Sequence, residues 1–386
     1  MASAVSAAGR SWQRPVVADP RLDVRRFDRT VDAAWVRTSY SGLTAGLHDA
    51  PPERGVASET ERPGTVDEPD AEGVSTGSTT REAGSTTREA GSTTREAGST
   101  TRETGAVVLG SDLRSPMAAL PKGAAFGTLV HGVLENTDFT APDLRAELVR
   151  ECEAARSQSH AGIPAAELAD ALLPVLLTPL GPLAGGLRLA DLGRADRLDE
   201  LDFELPLLGG ETPTGDATVG QIAGLLRRHL PPTDLLHAFA DDLATPLLAD
   251  RSLRGFLGGS IDLVLRVRDE QGTPRHLVVD YKTNWLGGET LTAADYTPTA
   301  MARGMREAHY PLQALLYSVA LHRFLRWRQP GYDPESQLGG VLYLFLRGMC
   351  GPATPVVDQM PCGVFSWSPP AALVTDLSDL LDRGAP

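Results

Sequence analysis

Gly259-Ser260-Ile261-Asp262-Leu263-Val264-Leu265 and Leu277-Val278-Val279-Asp280-Tyr281-Lys282-Thr283-Asn284 read as two strands joined by a polar loop, Asp269 to Pro274. Aliphatic and β-branched residues dominate both runs, and the loop carries the glycine and proline that punctuate hairpins. Asp262 lies nine residues before Gln271, near the middle of the loop, and Asp280 nine after it. In an antiparallel pair they fall opposite one another, to within one residue of register. Asp280 and Lys282 are two apart and so share a face of their strand. Two carboxylates and one ammonium converge, a set suited to Mg²⁺ held by hard oxygen ligands.

Strand aspartates at hairpins ordinarily face water. Here Asp262 follows a phenylalanine–glycine turn and sits inside Ile261-Asp262-Leu263-Val264, and Asp280 ends an apolar run. A buried carboxylate must be paired, protonated or metal-bound, and one lysine leaves one of two carboxylates unmatched. The lysine is itself unusual, because the chain holds 34 arginines and only two lysines, Lys122 and Lys282. A compact ammonium does work that a forked guanidinium cannot, which accounts for the exception.

The chain has 386 residues and a formal net charge of −14. That charge argues against a free-standing binder whose affinity comes from phosphate neutralisation. From Met301 to Arg347, however, six arginines face only Glu307, Asp333 and Glu335. An acidic enzyme that receives DNA from a partner fits both facts. Cys152, Cys350 and Cys362 form no C-x-x-C pair, which excludes zinc-finger or iron–sulfur spacing. No signal peptide opens the chain, and its most apolar region, Ala165 to Leu189, is broken by Pro174, Pro179 and Pro182. No membrane partner and a cytoplasmic location with reduced thiols are expected.

Residues 77–104 are four tandem copies of Gly-Ser-Thr-Thr-Arg-Glu-Ala, the last ending in Thr104. A seven-residue period without a large hydrophobe offers no seam to bury. With the Pro/Glu/Gly-rich stretch before it, residues 51–110 read as a disordered linker. Residues 1–50, with Val36-Arg37-Thr38-Ser39-Tyr40-Ser41, hold too few hydrophobes for a core and read as the tail of another domain or a docking segment. The globular domain is expected over 111–386. It begins with a helical pattern, Gly127 to Leu134, that carries His131. Helices follow around Asp143–Ser157 and Ile163–Leu177, then an alternating strand, Leu198 to Leu207, with Glu200, Asp202 and Glu204 on its polar face. Val219–Leu230 is helical, and after the hairpin Pro311 opens a helix to about Trp327 that carries Gln313 and Tyr317 on one face. A final buried strand spans Gly340 to Leu346. The fold class is α/β, a mixed sheet flanked by helices.

In combination and order these phrases resemble the RecB-type nuclease domains of the PD-(D/E)XK superfamily. The phrases that carry the likeness are Gly127-Thr128-Leu129-Val130-His131, the two strands above, Tyr310-Pro311-Leu312-Gln313-Ala314-Leu315-Leu316-Tyr317, and Gly339-Gly340-Val341-Leu342-Tyr343-Leu344-Phe345-Leu346-Arg347-Gly348. The likeness runs from about Pro116 to Trp367. It implies a restriction-endonuclease-like fold and an exodeoxyribonuclease that acts in double-strand-break repair. It also implies that His131, Asp262, Asp280 and the Tyr281 carbonyl ligate Mg²⁺. Lys282 would orient the attacking water or stabilise the phosphorane. Glu200 matches the family's upstream acid, and Gln313 and Tyr317 match its Gln-x-x-x-Tyr motif. DNA, RecC- and RecD-type subunits or a separate helicase chain, and a RecA-type recombinase are the implied partners. Residues 11–45 are similar to the segment that joins RecB's helicase part to its nuclease.

Neither lysine stands in a P-loop, so ATP hydrolysis by that route is excluded. The chain is then a separate nuclease product or the C-terminal piece of a longer gene. A reading of another class is a non-catalytic module that docks a recombinase or partner subunits. Superfamily members with an iron–sulfur cysteine set are disfavoured by three scattered cysteines.

Overall fold

A long strand, β3 (Gly255–Arg268), organises the sheet. The computed structural model describes residues 35–44, 112–156, 162–211 and 215–384; the expected linker over 51–110 lies outside them. In chain order the elements are β1 (Val36–Thr38), α1 (Tyr40–Thr44), α2 (Ala124–Asn136), α3 (Leu144–Arg156), α4 (Ala165–Leu177) and β2 (Arg197–Leu207). Then come α5 (Val219–His229), α6 (Phe239–Leu243), α7 (Pro246–Ala249), β3, β4 (Pro274–Lys282), α8 (Pro298–Glu307) and α9 (Tyr310–Arg328). Last are α10 (Pro334–Gln337), β5 (Leu338–Phe345), β6 (Val356–Val357), β7 (Met360–Pro361), β8 (Val364–Trp367) and α11 (Ala371–Arg383).

The main sheet runs β1-β3-β4-β5-β8, with β2 on the other side of β3. β4 and β5 are parallel, and β3 is antiparallel to β2 and β4. One apolar core packs α2, α3 and α4 against Leu263, Leu265, Leu277 and Val279. Another packs α5, α8, α9 and α11 against Leu257, Val264, Val278 and Val341. Helices on both faces explain why β4 and β5 are apolar almost throughout. The expected α/β fold, a mixed sheet flanked by helices, is the fold observed.

Two local readings change. Phe256 to Gly259 is no turn but extended strand, and β3 begins at Gly255. The strand Gly340 to Leu346 is not the last element, because β8 adds to the sheet and α11 covers it. Residues 36–44, within the stretch expected to be a domain tail or a docking segment, pack onto the sheet and its core. β1 pairs parallel with β3 from Val36–Gly255 to Thr38–Leu257, and Tyr40 and Leu43 enter the core. Gly255, at φ 104°, makes room for β1, since a Cβ there would stand 2.1 Å from the Val36 carbonyl.

The β3–β4 ladder runs from Arg268–Pro274 to Leu263–Val279 and then stops. Beyond that pair β4 continues on β5 alone, while β1 takes the same edge of β3 only at Leu257. The sheet therefore forks one step past Leu263 and Val279. Asp262 and Asp280 stand at the mouth of the fork, within the one-residue range of registers expected from a loop midpoint near Gln271.

Candidate active site

Splaying two strands removes ladder partners, and buried N–H groups must find others. At the fork Asp262 supplies one: its Oδ2 accepts the Tyr281 N–H at 2.8 Å. Its Oδ1 lies 3.3 Å from His131 Nδ1, and His131 Nε2 donates to the Tyr281 carbonyl at 2.9 Å. His131 comes from α2, whose Val130, Val133 and Leu134 are fully buried. That apolar stripe fixes the helix rotation and so aims the imidazole at the sheet's end. Its ring meets Tyr281 edge-on, centroids 5.8 Å apart.

Asp280 and Lys282 are almost wholly enclosed, with Lys282 Nζ 2.6 Å from Asp280 Oδ2. At that distance the ammonium and the carboxylate form a close charge-assisted pair. Burial, with repulsion from Asp262, pushes the Asp280 carboxyl up to about 7 against the pull of Lys282. Burial also presses Asp262 upward, but His131, Lys282 and the Tyr281 amide outweigh it and hold this carboxyl below its ordinary value. Two adjoining carboxyls with affinities pushed apart are the pattern of a functional site.

Glu200 stands across β3. The β2–β3 register passes from Asp199–Leu263 to Leu201–Ile261 and skips it, so Glu200 sits level with Asp262. Its φ of 48° is left-handed, a conformation costly for a glutamate, and its Oε2 accepts from Ser260 Oγ at 2.8 Å. Gln313 and Tyr317 meet as their spacing predicts, Gln313 Nε2 donating to the Tyr317 hydroxyl at 3.1 Å. Tyr317 packs edge-on against Phe203. Gly259 lets the two rings meet, since a Cβ there would stand 2.8 Å from the Phe203 ring.

Sequence reasoning misses the residues that hold this arrangement together. Arg347 is fully buried. Its guanidinium donates to the carbonyls of Thr283 and Met117, both at 2.7 Å, and to those of Leu120 and Pro121. It ties the residue after Lys282 to the segment that leads into α2. Tyr310 and Tyr343 flank Lys282. An arginine closing an apolar strand, Leu344-Phe345-Leu346-Arg347, is the one visible sign of the first.

Among the described residues no three or more His, Cys, Asp or Glu side chains are arranged to hold a metal ion. The chemistry of the donors nonetheless fits one: an imidazole, two carboxylates, one of them buried, and a carbonyl stand around the fork.

The profile of the PD-(D/E)XK nuclease superfamily matches residues 108–378. The RecBCD enzyme subunit RecB of Mycolicibacterium smegmatis is 48% identical over 380 residues, which are 96% of this chain and 31% of that protein. That of Mycobacterium tuberculosis H37Rv is 47% identical over 389 residues, 98% of this chain and 31% of that protein. The Escherichia coli RecB is 33% identical over 260 residues, 67% of this chain and 19% of that protein. The chain thus spans less than a third of the length of these relatives. The likeness to the RecB nuclease domain read from the motifs holds over the fork and the helices that arm it, and the chain belongs to the PD-(D/E)XK nuclease superfamily.

Proposed function

We propose that the chain is a Mg²⁺-dependent DNA nuclease that hydrolyses phosphodiester bonds as the nuclease part of a RecBCD-like repair complex. The observation that carries this reading is the buried Asp280–Lys282 pair at 2.6 Å, across the fork from Asp262 and its His131 contact. His131, Asp262, Asp280 and the Tyr281 carbonyl would hold the metal ion, which when bound lowers the pKa of a water and polarises the phosphate. Lys282 places an ammonium at the same point. It orients the attacking water by donating a hydrogen bond to the water's lone pair and later faces the negative charge that grows on the phosphoryl oxygens. Its partner Asp280 and the enclosing walls hold that ammonium still, so little reorganisation accompanies the charge. Glu200, level with Asp262, adds a third acid to the row. Gln313 and Tyr317 line the helix that backs it.

The missing P-loop and the net charge of −14 favour delivery of DNA by RecC- and RecD-type subunits or a helicase chain. A RecA-type recombinase is a further partner on this reading, with the cytoplasm as the site of action. No helix among the described residues is long and apolar enough to cross a membrane. The same charge favours a second reading, a docking module without catalysis. Linear single-stranded DNA incubated with purified protein and Mg²⁺, with and without EDTA, separates the two. Cleavage that EDTA stops and Asp280→Ala abolishes supports the nuclease. Intact DNA throughout, from a folded protein, supports the module.

A further inference from the structure

Two tyrosine rings form part of the wall around Lys282. Lys282 Nζ stands 4.2 Å from the centre of the Tyr310 ring and 5.6 Å from that of Tyr343. The rings are stacked at 25°, centroids 5.9 Å apart, and both are fully buried. Each is pinned at its far end. Tyr310 donates to Asn284 Oδ1 at 3.2 Å, and Tyr343 donates to Gln313 Oε1 at 3.0 Å. The β4–β5 register sets Tyr343 directly beside Asp280. His309, left-handed at φ 57°, turns the chain so that Tyr310 opens α9 at this point, with Pro311 behind it. Three elements, β4, β5 and α9, therefore converge on one ammonium.

A ring face attracts an ammonium through its quadrupole, most strongly where water is excluded. Asp280 attracts the same ammonium through its charge, but a carboxylate shared with a metal ion holds an ammonium less firmly, and a ring face is not shared. The geometry points to Tyr310, backed by Tyr343, as the positioning residue of Lys282, holding its ammonium at the fork by a cation–π contact that persists when Asp280 takes other partners. The inference rests on Lys282 acting in a nuclease site.

The two lysines make it testable by a signature that does not depend on activity. Protein labelled with ¹³C-lysine gives two ε-methylene signals, assigned with Lys122→Gln. In the wild type and in Tyr310→Phe the Lys282 signal is displaced upfield by the ring current, and in Tyr310→Leu it moves toward the ordinary lysine position. In single-turnover cleavage Tyr310→Phe stays within about threefold of wild type. Tyr310→Leu falls about tenfold or more in rate with DNA affinity unchanged. Should the Tyr310→Leu protein fail to fold, phenylalanines of increasing fluorination at the same position keep the shape and weaken the ring face, and log rate falls with each fluorine. An undisplaced Lys282 signal, or a flat fluorine series, overturns the inference. A wild type that displays the displaced signal but cleaves nothing overturns the nuclease reading instead.

Discussion

Asp262 takes the backbone N–H of Tyr281 at 2.8 Å, where the ladder between their strands has stopped. One side chain thus closes the fork and offers its second oxygen to His131. The two tasks separate by substitution. Asp262→Asn keeps an acceptor for the amide, whereas Asp262→Ala leaves a buried donor unpaired, at about 1–3 kcal/mol. Both variants are expected to lose cleavage by at least about a thousandfold. In urea unfolding only the alanine variant should show the full loss of stability. Equal stability of the two would separate Asp262 from the closing of the fork.

Lys282→Arg is expected to be as inactive as Lys282→Met. The ammonium is 4% exposed, between the Asp280 carboxylate and the Tyr310 ring. A guanidinium is planar and wider, and cannot present its charge at the same point without displacing one of them. Single-turnover cleavage reads this, and an arginine variant above about a tenth of the wild-type rate contradicts the enclosure drawn here.

Arg347 answers to four carbonyls from two segments far apart in sequence. Arg347→Met leaves those acceptors buried without a donor, and a loss of at least about 3 kcal/mol is expected in urea unfolding. Arg347→Lys should recover little of it, because three donors on one nitrogen cannot span Thr283 and Met117 together. Full recovery by lysine would mean that charge, and not the fork of the guanidinium, holds the segments.

The hairpin register was legible to within one residue because its side-chain period is two and its loop is short, so counting from near Gln271 places Asp262 against Asp280. The spacing of Gln313 and Tyr317 was legible for the same reason, in helical period. β1 was not, since three residues carry no period and its pairing depends on room left by Gly255, some two hundred residues on. β8 is four residues between Gly363 and Ser368, below the length at which alternation shows. Arg347 escaped because its partners are backbone carbonyls, which every residue carries and no sequence marks. The fold of the site is thus written in side-chain periods, and its fastening in contacts that have none.

β1 and α1 are expected to act as a removable strap. Tyr40 and Leu43 are buried, the Tyr40 hydroxyl donates to the Ala308 carbonyl, and Trp35 Nε1 donates to the Gly210 carbonyl at 3.0 Å. Burying two such side chains contributes on the order of 3–5 kcal/mol before the entropy of ordering the segment. A chain beginning at Asp112 should unfold at clearly lower urea, and a synthetic peptide of residues 35–44 at millimolar concentration should restore part of the difference. No restoration, or no initial loss, would make the strap incidental.

His322 sets the last expectation. It is 4% exposed, with Nδ1 3.1 Å from the Tyr332 hydroxyl. Burial, then Arg326 and Arg323, lower its pKa to about 4, with Asp379 opposing them. The unfolded chain takes up a proton near the ordinary histidine value, and the folded one does not until about pH 4. Stability from this group is therefore whole above pH 6.5 and falls as pH drops through the window below it, by up to about 1.4 kcal/mol per pH unit. Urea unfolding of wild type and His322→Phe at pH 7.5, 6 and 5 separates this contribution from that of the carboxylates. The phenylalanine variant should lose less stability over that range, and an identical decline in both would show that His322 titrates as it does in the unfolded chain.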